Sequence, residues 1–173
     1  MKTSIATVSI SGTLREKLTA IAKAGFDGIE IFEQDFIADA GSPRQIGDMI
    51  RDQGLEITLF QPFRDFEGLT GDLRRRAFDR ARHKFDTMAE LGTDRILICS
   101  STHPQALGGI DRAAEDFAEL GAIAADYGIH VGYEALAWGR HVNDHRDAWE
   151  IVRRADRVGD RAPRRPPQYR GDP

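Results

Sequence analysis

The sequence predicts an α/β protein: about five strand–helix units built around a parallel sheet. Three observations predict it. Short alternating segments rich in β-branched residues recur along the chain, amphipathic stretches at helical spacing separate them, and a glycine stands just past each of the first helices.

Residues 4–10 (SIATVSI) alternate and read as the first strand. Leu14, Leu18, Ile21 and Ala22 then recur at helical spacing, and Gly25 stands where a helix C-cap belongs. Residues 26–32 (FDGIEIF) form the second strand. Ser42 followed by Pro43 is an N-cap with proline at the first helical position. Ile46, Met49 and Ile50 give that helix its apolar face, and Gly54 ends it. The third strand spans 55–61 (LEITLFQ). A long helix follows, with Leu73, Ala77, Phe78, Phe85 and Met88 inward and Gly92 at its end. Residues 95–100 (RILICS) are the fourth strand, and the next helix carries Phe117, Leu120 and Ile123 before Gly128. Residues 129–136 (IHVGYEAL) are the fifth, and Asp144 opens a last helix with Ala148, Ile151, Val152 and Ala155 on one face.

Short strands joined through amphipathic helices require right-handed crossovers and a parallel sheet. Five such units fit a doubly wound open sheet, and they equally fit the first five eighths of a (β/α)8 barrel. From residue 157 the composition changes: RVGDRAPRRPPQYRGDP holds five Arg and four of the seven Pro, so a disordered Arg/Pro-rich tail is expected over 157–173.

A chain of 173 residues can bury one real core, and its net charge of −4 argues against nucleic acid as a partner. One cysteine excludes an internal disulfide framework and a cysteine-built zinc site. No apolar run is long enough to cross a membrane, and Met1-Lys2-Thr3 leads straight into an alternating segment, so a cytoplasmic chain with no membrane partner is expected.

Ligands of parallel α/β folds sit at the carboxyl ends of the strands. Those ends offer Glu30 and Glu33, then Gln61 and Arg64, then Ser100, Ser101 and His103, and finally Glu134 with Trp138, Arg140 and His141 beyond it. Glu134, within VGYEALAW, carries the most information. A carboxylate there needs a cation, an arginine or water, and a hard divalent metal is one natural partner. Arg64, in QPFRDFEG, could clamp a substrate carboxylate with its planar fork or pair locally with Asp65 or Glu67. His141 and His145 are four apart, but an N-cap at Asp144 leaves His141 in the loop, so the two do not share a helix face. Cys99 reads as a small core residue, and Arg74-Arg75-Arg76 as a solvated helix face. No GxGxxG, P-loop or GxSxG element is present.

The segments AGFDGIEIFEQDF, GLEITLFQPFRDFEG and GYEALAWGRHVNDHRDAWEIV resemble the amino-terminal barrel of bacterial 3-dehydroshikimate dehydratases. These are members of the xylose isomerase-like sugar phosphate isomerase/epimerase superfamily, and their barrel is often fused to a domain resembling 4-hydroxyphenylpyruvate dioxygenase. The resemblance covers residues 1–156 and implies a partial TIM barrel. It also implies a divalent metal (Mg2+, Mn2+ or Co2+) held by carboxylates and a Gln or His on strands five to eight, with Glu134 as the strand-five ligand. The implied reaction is a lyase step that turns 3-dehydroshikimate into protocatechuate in aromatic catabolism: the metal polarises the 3-keto oxygen, a base takes the neighbouring proton, and water leaves. Gln61, Arg64 and His141 would bind the substrate; no residue is identified as the base.

Relatives in the superfamily isomerise or epimerise sugars, so that activity is the alternative. The resemblance stops where the family's sixth strand would begin, which raises a truncated or frameshifted reading frame as one explanation, against a coherent family of short homologues. An inactive fragment or interaction module is then a third reading, with self-association through open barrel edges and no metal-dependent turnover by the isolated chain.

Overall fold

The computed structural model describes residues 1–159, with side chains through Asp156. In chain order the elements are β1 (Ser4–Ala6), α1 (Leu14–Lys23), β2 (Gly28–Phe32), α2 (Glu33–Ala38), α3 (Pro43–Asp52) and β3 (Glu56–Phe63). They continue with α4 (Gly71–Leu91), β4 (Arg95–Cys99), α5 (Ile110–Asp126), β5 (His130–Glu134) and α6 (His145–Gly159). Of the tail expected over 157–173, residues 157–159 continue α6 instead, and the rest, from residue 160 on, lies outside the described residues.

Every strand pair is parallel, and the order is β1-β2-β3-β4-β5. A doubly wound sheet reverses its direction of growth once, whereas a barrel never does. The sequential order therefore selects the barrel arc over the open sheet. Helix packing agrees: α3 lies against α4 and α5 against α6, as neighbours in an outer ring do.

The pleat sorts the side chains. Ile29, Ile31, Phe60, Ile96 and Ile98 are fully buried on the helix-facing side of the sheet, where Phe60 meets Phe36 of α2 edge-on at 5.8 Å. Glu30, Phe32, Leu59, Gln61, Leu97, Cys99, Gly132 and Glu134 occupy the opposite, axial side, as the register pairs show. Phe63, Phe66, Phe78 and Phe117 continue the core above β3 and β4, with ring centroids 5.1–5.7 Å apart.

Local chemistry explains the boundaries. Capping boxes start α1 (Thr13 with Glu16) and α3 (Ser42 with Gln45, Pro43 behind them). Gly25, Gly54, Gly92 and Gly128 all take positive φ just past a helix, the left-handed turn that lets each strand follow at once. Asp144 caps α6, its Oδ1 accepting the Arg146 N–H at 2.8 Å, as the sequence indicates.

Several boundaries differ from the sequence reading; β5, for one, spans His130–Glu134 rather than residues 129–136. The first strand stops at Ala6 rather than Ile10, because Thr7 turns away as a 3-10 helix over Thr7–Ser9. Its hydroxyl donates to Asp35 at 2.6 Å and accepts the Phe32 N–H at 3.0 Å. Helix α2 was not expected; none of its residues is fully buried, so it carries little apolar periodicity. Asp35 on that helix also receives Lys17 of α1 at 2.8 Å, a nearly buried ion pair that ties α2 to α1 and β1. Finally, β3 runs two residues further, through a cis Gln61-Pro62 bond.

Candidate functional site

The carboxyl ends of the five strands form one mouth, built by two kinds of residue. Axial positions present polar groups to the ligand side, and the loops behind them tie the strand ends together.

On the axial face two pairs form. The Gln61 amide donates to Glu30 Oε2 at 2.7 Å, which fixes the amide. The Cys99 thiol donates to Glu134 Oε2 at 3.3 Å across the β4–β5 register. Glu134 is exposed and makes no ion pair among the described residues. Cys99 is buried as expected, and it also contacts the site. Burial first, then the Glu134 carboxylate, pushes its thiol up to about 12. The positive charge of Arg64 pulls the same thiol in the opposite direction.

Arg64 is exposed and bonds neither Asp65 nor Glu67, the local partners considered from sequence. Both acids serve the neighbouring loop instead. Asp65, at φ 53°, accepts the Thr102 N–H at 2.9 Å and the Ser101 and Thr102 hydroxyls at 3.3 Å. Arg80 of α4 clamps the same turn from outside, donating to the Arg64 and Asp65 carbonyls at 3.3 and 2.7 Å. Glu67 accepts the Ser101 N–H at 2.6 Å and the Tyr133 hydroxyl at 3.0 Å.

Ser100 and Ser101 are thus structural. The Ser100 hydroxyl accepts the Leu136 N–H at 2.9 Å, and Arg140 N–H donates to the Ser101 carbonyl at 2.9 Å. A Cβ on Gly139 would lie 2.4 Å from the Ser100 hydroxyl, so only glycine lets that loop close on β4. Glu33 is drawn off to Lys84 of α4, whose ammonium lies over the Phe60 and Phe63 rings and is pushed down to about 8 by burial.

His141 lies apart from the axial pairs. Its Nε2 meets the Ala106 carbonyl at 2.8 Å, and its ring packs against Gly108 in the loop after β4. No hydrogen bond or ion pair joins it to Gln61, Arg64 or Glu134 among the described residues. His145 is almost fully exposed beside Asp144, so the two histidines do not converge. Trp138 is exposed at the rim. No three His, Cys, Asp or Glu side chains cluster as a metal site among the described residues. Glu134 fits as one oxygen ligand; a hard divalent ion needs about six, and the remainder would come from outside these residues.

Sequence reasoning missed Glu67 and Asp65 as loop anchors. The available signal was two acids alternating with Phe66 just past a strand end.

Known proteins place this geometry in context. Residues 18–161 match the family described as xylose isomerase-like TIM barrel. A 3-dehydroshikimate dehydratase of Pseudomonas putida is 57% identical over 156 residues, which is 90% of this chain and 25% of that protein. A solved "xylose isomerase-like TIM barrel/4-hydroxyphenylpyruvate dioxygenase fusion protein" superposes with TM-score 0.87 at 56% identity, again over 90% of this chain and 25% of the other. The chain spans about a quarter of the length of these relatives. The IOLI protein, solved with a bound zinc, shares the fold at TM-score 0.81 and 19% identity, over 92% of this chain and 60% of its own.

Proposed function

We propose, from the premise that this chain belongs to the xylose isomerase-like TIM barrel family, that it supplies the first five strands of a site that dehydrates 3-dehydroshikimate to protocatechuate. One observation carries the reading: Glu134 stands on the axial face at the end of β5, exposed, its carboxylate bonded among the described residues by the Cys99 thiol alone, in a chain 57% identical to a 3-dehydroshikimate dehydratase.

In this reading Glu134 gives one oxygen to a divalent ion, Mg2+, Mn2+ or Co2+, whose contribution when bound is Lewis-acid polarisation of a keto oxygen. The chain's own residues bind and orient. Arg64, which makes no ion pair among the described residues, offers a two-pronged donor to the substrate carboxylate. Gln61, its amide held by Glu30, keeps a carbonyl oxygen for a ring hydroxyl. His141, its Nε2 bonded to the Ala106 carbonyl, would contribute through Nδ1.

No helix among the described residues is long and apolar enough to cross a membrane, and the setting proposed is the cytoplasm. Strands β1 and β5 each pair on one side only among those residues, which makes them the surfaces for association with a second chain.

The test is a chimera in which residues 1–156 replace the matching part of the Pseudomonas putida relative. With a divalent metal it should convert 3-dehydroshikimate to protocatechuate, followed by absorbance, and Glu134→Gln should abolish turnover. A folded chimera that leaves this substrate untouched but interconverts keto-sugars without loss of water would overturn the proposal in favour of an isomerase.

A further inference from the structure

A buried acid with one empty oxygen stands behind the mouth and is used by no step above. Glu67 is 5% exposed. Its Oε1 takes two donors, the Ser101 N–H at 2.6 Å and the Tyr133 hydroxyl at 3.0 Å, while Oε2 is buried with no partner among the described residues. An unsatisfied buried oxygen is costly, so the group persists against a penalty that a leucine would not incur.

The two donors bracket the axial pair. Ser101 lies two residues past Cys99, and Tyr133 immediately precedes Glu134. Successive side chains of a strand point to opposite faces. Tyr133 points to the helices, its ring 4.4 Å from Phe117 of α5, and Glu134 points to the axis. Holding the Tyr133 phenol therefore fixes the rotation of β5 about its own length, and with it the direction of Glu134. Strand β5 needs such a hold, since β4 is its single neighbour among the described residues. The arm that carries Glu67 is itself rigid. Phe66 packs on Phe78 at 5.1 Å and Phe117 at 5.5 Å, and the Gly68 N–H donates to buried Asp116 at 2.9 Å.

We infer that Glu67 is the positioning residue of this mouth: its shared Oε1 latches strand β5 to the loop after β4 and so holds Glu134 beside Cys99 on the axial face.

The groups facing Glu67 come from three elements: Tyr133 of β5, Cys99 of β4, and Asp116 of α5, which is itself paired to Arg74 of α4 at 2.8 Å. Burial raises the Glu67 pKa and Asp116 adds to the rise, outweighing the hydrogen bonds that lower it. Glu67→Gln keeps an acceptor at Oε1 and imitates the neutral acid; Glu67→Ala removes the latch. The consequence for a ligand rests on the proposed role of Glu134, but the latch itself is read without metal or substrate.

The experiment is hydrogen–deuterium exchange on the full 173-residue chain, with thermal unfolding across pH. Glu67→Ala should speed exchange at Ser101 and along β5 by about tenfold or more. Glu67→Gln should retain wild-type protection, and Tyr133→Phe should loosen β5 while leaving Ser101 protected. A raised carboxyl pKa in the fold means that stability falls as pH rises from the ordinary carboxyl value to the raised one, then levels; Glu67→Gln should lose that slope. Protection unchanged in Glu67→Ala, or lost equally in Glu67→Gln, overturns the inference. If Glu67→Ala does not fold, Tyr133→Phe decides, and unaltered β5 exchange in that variant overturns it. A failed dehydratase assay leaves this result standing, so the two claims fail separately.

Discussion

Replacing Glu134 by Gln should release the Cys99 thiol from an adjacent negative charge. The S–H donates to Glu134 Oε2 at 3.3 Å, and burial with that carboxylate pushes the thiol up to about 12. At this separation, with an effective dielectric constant of roughly 40 for a pair with one exposed member, a thiolate and a carboxylate repel by about 2.5 kcal/mol. Water around the exposed carboxylate trims this to about 1 to 2 kcal/mol, which is roughly tenfold more thiolate at a fixed alkaline pH. Cys99 is the chain's single cysteine, so its thiolate absorbance can be isolated by subtracting a Cys99→Ser titration. Burial is the larger cause and stays in place, so the variant thiol should still titrate above an exposed cysteine. Glu134→Asp, which keeps the charge, should stay near wild type. An unchanged or higher titration midpoint in Glu134→Gln would refute the placement of Glu134 against Cys99, and with it the axial site.

Two further outcomes test the scaffold. Lys17→Met leaves Asp35 with only the Thr7 hydroxyl in a nearly buried setting and should cost about 3–5 kcal/mol in urea unfolding, while Lys17→Met/Asp35→Leu should recover most of it. Gly47→Ala would put a Cβ 2.2 Å from the Leu91 carbonyl, forcing α3 from α4, and a loss of about 2 kcal/mol or more is expected from the denaturation midpoint.

What the sequence disclosed follows from the range of the forces involved. Capping residues and left-handed glycines act within a few positions, so Ser42, Asp144 and the four glycines marked their helix ends correctly. Alternation located all five strands, but it extended β1 to Ile10 because nothing near Thr7 reveals a bond to Asp35, 28 residues away. Helix α2 escaped notice because it buries no residue fully. The same limit governs the site. Glu134 stood out because its neighbours are apolar and it ends a strand. Glu67 did not, since its partners lie 34 and 66 positions further on and only the barrel curvature brings them to it. Periodicity also left open sheet and barrel equal; the order β1-β2-β3-β4-β5 separates them.

The most direct measurement of the central claim is Mn2+ binding to the chimera carrying residues 1–156, read from the electron paramagnetic resonance of free Mn2+. A carboxylate ligand at Glu134 predicts one tight ion in the parent and an affinity weakened by roughly 100-fold in Glu134→Gln. Equal affinity in the two proteins would contradict the account.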